Sequence, residues 1–575
     1  MNRTSRLAVT GLLVLAYAVL LVSAVAALAP PFLLAAVVVV VVELLISRRA
    51  PHLLPESLNS VLGPRFRVLS LDVLTALLAA RLLPDAGRLV ALAIVAVLLL
   101  AAGRDLVAVF QRRVNWRRAG GPVSWRGLAV PGLPEPQPFT PIREPDAPFT
   151  LLTLLIPLGY TIGSVTDRFG AAIAAQWIVI AVVLLVLAGR ALQYRLLNRR
   201  SHDQVREAVR SAIEAVGPEV VLHHSGRRGT VEQVLLWCPA LIALQRPCLI
   251  VVREQTHLEA LADCGIPVVW APRSQDVELF TVPSVDLALY TSDSTNINNH
   301  LLRVPGVYDV LVGHGDSDEP ESRSPIARMY DEVWVAGPAG RDRYDFPTSG
   351  VSASKVRQIG PVRPSTTAGR ARSDRDLPVV VYAPTWENVL DAVDLSSLVT
   401  RGRRVLDALL ARQDVRVVFV PAAPTGARLP AVATEEQRLR RLVESSRSVH
   451  GVLPASRLRE VLEEAAFAVV DVSPALAEAV RADVPFAVPA IGALGDDAMR
   501  ASFPSVAAGA ILRRFPEDVF EALDDALGPD RHAADRLALG RAIDASGDFT
   551  RRFREAADEA IAAQRRRRAF ARPGV

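Results

Sequence analysis

Apolar and polar positions follow two different rhythms along this chain. Up to about residue 190 the apolar residues run together in long blocks: Leu7–Leu28, Phe32–Ile46, Val68–Leu83, Leu89–Ala102, Leu151–Val165 and Ala171–Leu187. Blocks near the length of a bilayer core predict about six transmembrane helices. From about Ser201 the apolar runs become short and alternate with amphipathic stretches. Candidate strands are Val220–His223, Cys248–Val252, Val268–Trp270, Leu287–Tyr290, Val310–Val312 and Val333–Ala336. A polar stretch from Thr348 to Asp376 intervenes, and the pattern restarts at Val379–Tyr382, Val417–Val420, Ser448–Val452, Ala468–Val472 and Phe486–Val488. Strands that are apolar throughout, separated by helices, predict parallel sheets covered on both faces. The expected fold is an N-terminal α-helical transmembrane bundle followed by two α/β units of comparable size.

Charge sets an orientation for the first part. The chain has 575 residues and a net charge of +5; all but Lys355 of its 65 basic residues are arginine. The arginines sit beside the apolar blocks: Arg3 and Arg6, Arg48 to Arg67, the run from Arg104, and the run from Arg190. By the positive-inside rule these loops, both termini and everything after about residue 190 face the cytoplasm of a multi-pass cell-membrane protein. Nucleic-acid binding is not indicated, because the basic residues follow membrane topology rather than a stripe on a domain. A secretory signal competes for Leu7–Leu28, where VSAVAALA offers small residues, but the apolar run exceeds a usual signal core. Asp72 and Arg81 interrupt the third block and call for burial against neighbouring helices; Glu43 lies close to a helix end. Between the fourth and fifth blocks, residues 119–149 are rich in proline, which excludes a helix or central strand and makes the segment a linker. Cys238, Cys248 and Cys264 lack the spacing of a zinc site or a disulfide framework, and no metal is expected.

Three polar clusters fall at carboxyl ends of candidate strands, where open α/β sheets bind ligands. The first is VLVGHGDSDEP, Val310–Pro320. His314 lies between Gly313 and Gly315, which allow close approach of backbone and ligand, with Asp316 and Asp318 near enough to orient an imidazole. A general base and a structural histidine held by Asp316 both fit this spacing. The second is VVVYAPTWE, in which the Thr385 hydroxyl suits a phosphate and Trp386 a base or sugar; a proline turn with a core tryptophan fits as well. The third is AVVDVSP, Ala468–Pro474, with Asp471 and Ser473 before an alanine-rich helix. Ser473 suits a helix cap with Pro474 at the first helical position, a geometry that also suits an anion. At the far end, Phe549–Ala563 reads as an amphipathic helix running into Arg565–Arg568 and Phe570, suited to an anionic leaflet or to a solvated terminus.

GHGDSDEP, the following MYDEVWVAGPAGRDRY at Met329–Tyr344, and VVVYAPTWE together resemble the CDP-glycerol glycerophosphotransferase family of the teichoic-acid polymerase type. TSDSTNINNHLLR at Thr291–Arg303 fits a membrane-anchored branch of it from high-GC Gram-positive bacteria. The resemblance covers roughly residues 215 to 490. It implies a GT-B fold of two Rossmann-like domains: an acceptor-side domain at 201–347, a linker at 348–376, a donor-nucleotide domain at 377–545, and a C-terminal amphipathic helix and basic tail at 546–575. It implies transfer of glycerol phosphate from CDP-glycerol to a hydroxyl of a lipid-linked or polymeric envelope acceptor, with CMP released and no cofactor or metal. His314 would be the base, with Asp316 beside it. Gly313, Gly315, Ser317, Asp318, Thr385, Trp386, Asp471 and Ser473 would contact substrates. The sequence also departs from the pattern. A Lys-Pro-His-Pro segment appears as Val420-Pro-Ala-Ala-Pro-Thr-Gly426, placing Ala422 where a histidine is expected. Asp-Tyr-Ser-Ser appears as Asp471-Val-Ser-Pro474, and Gly-Arg-Pro as Gly360-Pro-Val-Arg-Pro364. A catalytically degenerate relative that binds a nucleotide or partner, and a nucleotide-sugar glycosyltransferase, are therefore the competing readings.

Overall fold

The fold was analysed in a computed structural model. It describes residues 3–49, 64–118, 123–137, 147–197, 202–226, 229–292, 301–302, 304–345, 349–362, 377–387, 395–545 and 547–571. Most of TSDSTNINNHLLR, and much of the proline-rich and 348–376 linkers, lie outside these residues. The chain divides into two compact units, one of residues 1–121 with 137–201 and one of residues 122–136 with 202–575.

Among the described residues the first unit contains six α-helices: α1 (Arg3–Val25), α2 (Ala29–Arg49), α3 (Pro64–Leu82), α4 (Gly87–Arg118), α5 (Ala147–Val165) and α6 (Phe169–Leu197). Two helical stretches, Pro84–Arg117 and Phe169–Leu197, are long and apolar enough to cross a membrane by length and composition among the described residues. Small residues let helices approach closely, and a Cβ on Gly103 of α4 would come within 2.9 Å of Val183 on α6. Glu43 and Arg67 pair across α2 and α3: Nε lies 2.5 Å from Oε1 and Nη2 lies 3.1 Å from Oε2, with both side chains buried. Such forked pairing compensates two charges that would be costly to bury alone.

The second unit is built on two sheets. The first runs β1-β4-β3-β2-β5-β6-β7-β8, using β1 (Ser124–Arg126), β2 (Val220–His224), β3 (Cys248–Val252), β4 (Val268–Trp270), β5 (Leu287–Tyr290), β6 (Tyr308–Leu311), β7 (Glu332–Val335) and β8 (Val356–Gln358). All its pairings are parallel except β1 with β4. The second runs β11-β10-β9-β12-β13-β14, wholly parallel, using β9 (Val379–Ala383), β10 (Arg416–Phe419), β11 (Gly451–Val452), β12 (Ala465–Val470), β13 (Phe486–Pro489) and β14 (Ala510–Leu512). Central strands such as β3 and β12 are buried at every residue, as sheets covered on both faces require. The proline-rich segment does supply a strand, β1, at the sheet edge where lost ladder bonds cost least. Strand order reverses beside β2 and β5 in the first sheet and beside β9 and β12 in the second. These reversals open crevices at the strand carboxyl ends.

Two of the ties between the halves bear on the cavity. After the second sheet, the helix Phe549–Ala571 returns to the first and buries Phe553, Ala556, Ala557, Ala560 and Ile561 in its core. The basic end of this helix is bound to the first half rather than offered to a leaflet. Arg565 pairs with Asp286 at 2.7 Å, Arg567 with Asp331 at 2.9 Å, and Arg568 with Asp286 and the Pro283 carbonyl, both at 2.9 Å. Phe570, in this end, is 96% exposed.

The second tie is ionic. Asp316, after β6, lies between Arg343 of the first half at 3.1 Å and Arg481 of the second at 2.5 Å. Arg481 also meets Asp544 and Glu478, each at 3.0 Å. Asp318 meets Arg343 at 3.0 Å and accepts the Ser505 amide N–H at 2.8 Å. Removing one partner of a buried pair leaves charge without compensation. Asp316→Ala is therefore expected to lower unfolding stability by about 3 kcal/mol, measured by thermal denaturation of the purified protein. Asp407→Ala, which removes an exposed helical pair with Arg403, should change it by less than about 1 kcal/mol.

Candidate functional site

Between the two sheets of the second unit lies a cavity of about 670 Å³ lined by residues of both halves. This volume accommodates a nucleotide-sized ligand. On the first half its wall includes Gly313, His314, Gly315 and Asp316; on the second it includes Thr385, Trp386, Ala422, Ser473 and Pro474.

The His314 turn is shaped by its glycines. Gly313 has φ +66° and Gly315 φ +133°, conformations that side chains rarely adopt. A Cβ at Gly315 would stand 3.4 Å from Pro474 Cβ, so this turn approaches the first residue of the helix Pro474–Arg481 across the cavity. Burial lowers the pKa of His314, and a hydrogen bond to the Thr291 backbone opposes that shift. A neutral imidazole is the form that accepts a proton. Close by, at the end of β2, His224 is fully buried between two hydroxyls, with Nδ1 2.6 Å from Thr291 Oγ1 and Nε2 2.9 Å from Thr230 Oγ1. Its pKa is also held low, first by burial and then by neighbouring His257, His223 and His314.

The carboxylates depart from the sequence reading. Asp316 does not orient the imidazole; its oxygens are taken by Arg343 and Arg481. Asp318 is absent from the main cavity wall because it faces Arg343 and Ser505, and Ser317 accepts the Glu319 amide at 3.1 Å. Asp471 lies behind the cavity wall. Its Oδ2 accepts the amide N–H groups of Thr385 at 2.8 Å and Ser397 at 3.0 Å. It therefore shapes the turn that presents Thr385 instead of touching a donor phosphate. Ser473 caps the helix Pro474–Arg481 by accepting the Ala475 N–H at 3.2 Å, and it also lines the cavity. His314, Thr385, Trp386 and Ser473 are thus brought together.

Other residues of the site were not singled out from the sequence. Trp237, Arg343, Arg459 and Arg481 all line the cavity. Trp237 sits in an apolar helical run that reads as core; Arg459 and Arg481 lie on helices, and Arg343 just after one, where a charged position reads as solvated surface. Glu387 holds the segment that carries Ala422: its carboxylate accepts amide N–H groups from Gly426 and Arg428 at 2.8 Å and Leu429 at 3.1 Å. Hydrogen bonds to a charged acceptor are stronger than neutral ones.

No family model matches the chain, and no characterised protein matches it by sequence. Among solved structures, it is similar to a protein described as a UDP-N-acetylglucosamine 2-epimerase from Listeria monocytogenes, at 13% identity over 60% of this chain and 97% of that one, with TM-score 0.42. It is similar to MnaA of S. aureus with UDP, at 10% identity over 60% and 97% of the two chains, TM-score 0.42. It is also similar to the wall teichoic acid polymerase TagF with CDPG, at 11% identity over 66% and 97%, TM-score 0.40. The two Rossmann-like sheets and their shared cavity define a GT-B-like α/β module.

Replacing Glu387 by Ala is expected to raise hydrogen-exchange rates at the Gly426, Arg428 and Leu429 amides by on the order of ten-fold or more. Glu387→Gln, which keeps one acceptor oxygen, should have a smaller effect at the same amides.

Proposed function

We propose that this protein is a membrane-bound transferase that moves glycerol phosphate from CDP-glycerol to a hydroxyl of a lipid-linked or polymeric cell-envelope acceptor. The observation that carries the reading is the common cavity, which has a half-buried histidine of lowered pKa on one wall and the Thr385, Trp386 and Ser473 surfaces on the other. The acceptor binds on the His314 side and the nucleotide on the second half. His314 takes the acceptor hydroxyl proton as that oxygen attacks the phosphorus bearing glycerol. The bond from this phosphorus to the bridging oxygen breaks, its electron pair stays with that oxygen, and CMP departs. Catalysis of this kind rests on positioning and on neutralising phosphate charge.

The first unit serves as the membrane anchor in this reading. Many of its large apolar side chains face outward, with Leu34 70% and Leu185 73% exposed, which suits lipid better than water. The soluble unit and both termini would lie on the cytoplasmic side, following the arginine pattern.

One observation favours a second reading, a degenerate module that binds a nucleotide or partner. Ala422 presents a methyl group to the cavity where the resemblance calls for a histidine, and Asp471 is committed to backbone. CMP release from CDP-glycerol by membranes containing the full chain, with lipid-linked acceptors, separates the two. Turnover should fall by about 10²–10⁴-fold in His314→Ala; no release by folded wild-type protein would favour the binding module. The sign of the pH effect follows from His314. Its lowered pKa keeps the base form present below the ordinary histidine value of 6.5, so the acid limb of kcat/KM should lie below 6.5. Separately, the full chain should remain in the membrane pellet after an alkaline carbonate wash, whereas a peripheral protein would be released.

A further inference from the structure

Trp237 lies outside every motif considered so far. It precedes the helix Cys238–Ala243, is 2% exposed, and its indole N–H donates to the Gly313 carbonyl at 3.0 Å. Gly313 is the residue immediately before His314 and occupies the left-handed region at φ +66°. Glycine there permits the turn but does little to fix it, because its backbone has the widest conformational freedom. The direction of the Gly313 carbonyl sets the plane of the peptide that begins His314. The bond from Trp237 therefore fixes what the glycine leaves loose.

The donor is itself firmly held. The Trp237 ring packs against Phe553 at 5.8 Å and Phe549 at 6.5 Å between centroids, both on the returning helix Phe549–Ala571. Phe549 and Phe553 stack at 5.5 Å, and Phe553 meets Trp334 edge-on at 5.7 Å. Trp334 and Trp237 both line the cavity, so this aromatic cluster forms part of its wall.

We propose that Trp237 is a positioning residue for His314, locking the Gly313 peptide so that the imidazole is held at a fixed place in the cavity wall. The assignment of a reaction to His314 rests on the function proposed above; the coupling of Trp237 to His314 does not. The groups facing this histidine are His224 from the end of β2, itself held neutral, and the Thr291 backbone beyond β5. Asp316, two residues on, is turned to Arg343 and Arg481. A loosened turn would expose the imidazole to water and remove the burial that holds its pKa down.

The test is Trp237→Phe in the full-length protein, which keeps a ring against Phe553 and deletes the N–H. Expected are a kcat roughly ten-fold lower with KM unchanged, an acid limb moved up towards 6.5, and a His314 imidazole signal in NMR whose titration moves the same way. A kcat loss without movement of the pH profile or titration would overturn the proposal, as would wild-type values for all three. Where Trp237→Phe fails to fold, 3-benzothienylalanine at position 237 replaces the indole N–H by sulfur at nearly constant shape and gives the same decision. If wild-type protein releases no CMP, the proposed reaction fails. The His314 titration then decides the Trp237 coupling alone.

Discussion

The carboxylate of Asp316 holds the second unit together at the edge of the cavity that its two halves share. It sits two residues beyond His314 and faces one arginine from each half, so the strand end that carries His314 is also the strand end that joins the sheets. Asp544 and Glu478 complete the charge around Arg481, and Asp318 does the same for Arg343. A lone carboxylate in this position would be costly; a network of five or more groups makes burial tolerable. Because the network is buried and anchored to both halves, the width of the cavity is tied to the position of the His314 turn.

Asp471 and Glu387 play a corresponding part in the second half. Each spends its carboxylate on backbone amides, Asp471 on Thr385 and Ser397 and Glu387 on the segment from Gly426 to Leu429. Loops that lack ladder hydrogen bonds need another acceptor for their N–H groups. Acidic residues at strand ends provide it here, while Thr385, Trp386, Ser473 and Arg459 line the cavity.

This explains what could be read from the chain and what could not. The two parallel sheets were legible because a strand buried on both faces must be a short apolar run, and β3, β5 and β13 fall within a residue of their expected bounds. Strands β1, β8 and β14 were not recognised. They are brief and lie at sheet edges, and two of them are half-buried, so their composition does not stand out from loops. His314 was legible from its strand and glycines. The true partners of Asp316 were not, since Arg481 lies 165 residues away and nothing local marks it. The same separation hid the Arg565–Arg568 contacts and made a structural clasp look like a membrane-binding tail.

The returning helix has a consequence for the order in which the protein can be made. The first sheet takes an edge strand from residues 124–126, its central strands from 220 onward, and part of its core from Phe553, Ala557 and Ile561. During synthesis the whole second sheet is translated before those last apolar residues emerge. The earlier half is therefore translated with part of its core still to come until the later half has been made. Translation finishes the two halves in the reverse of the order in which it begins them.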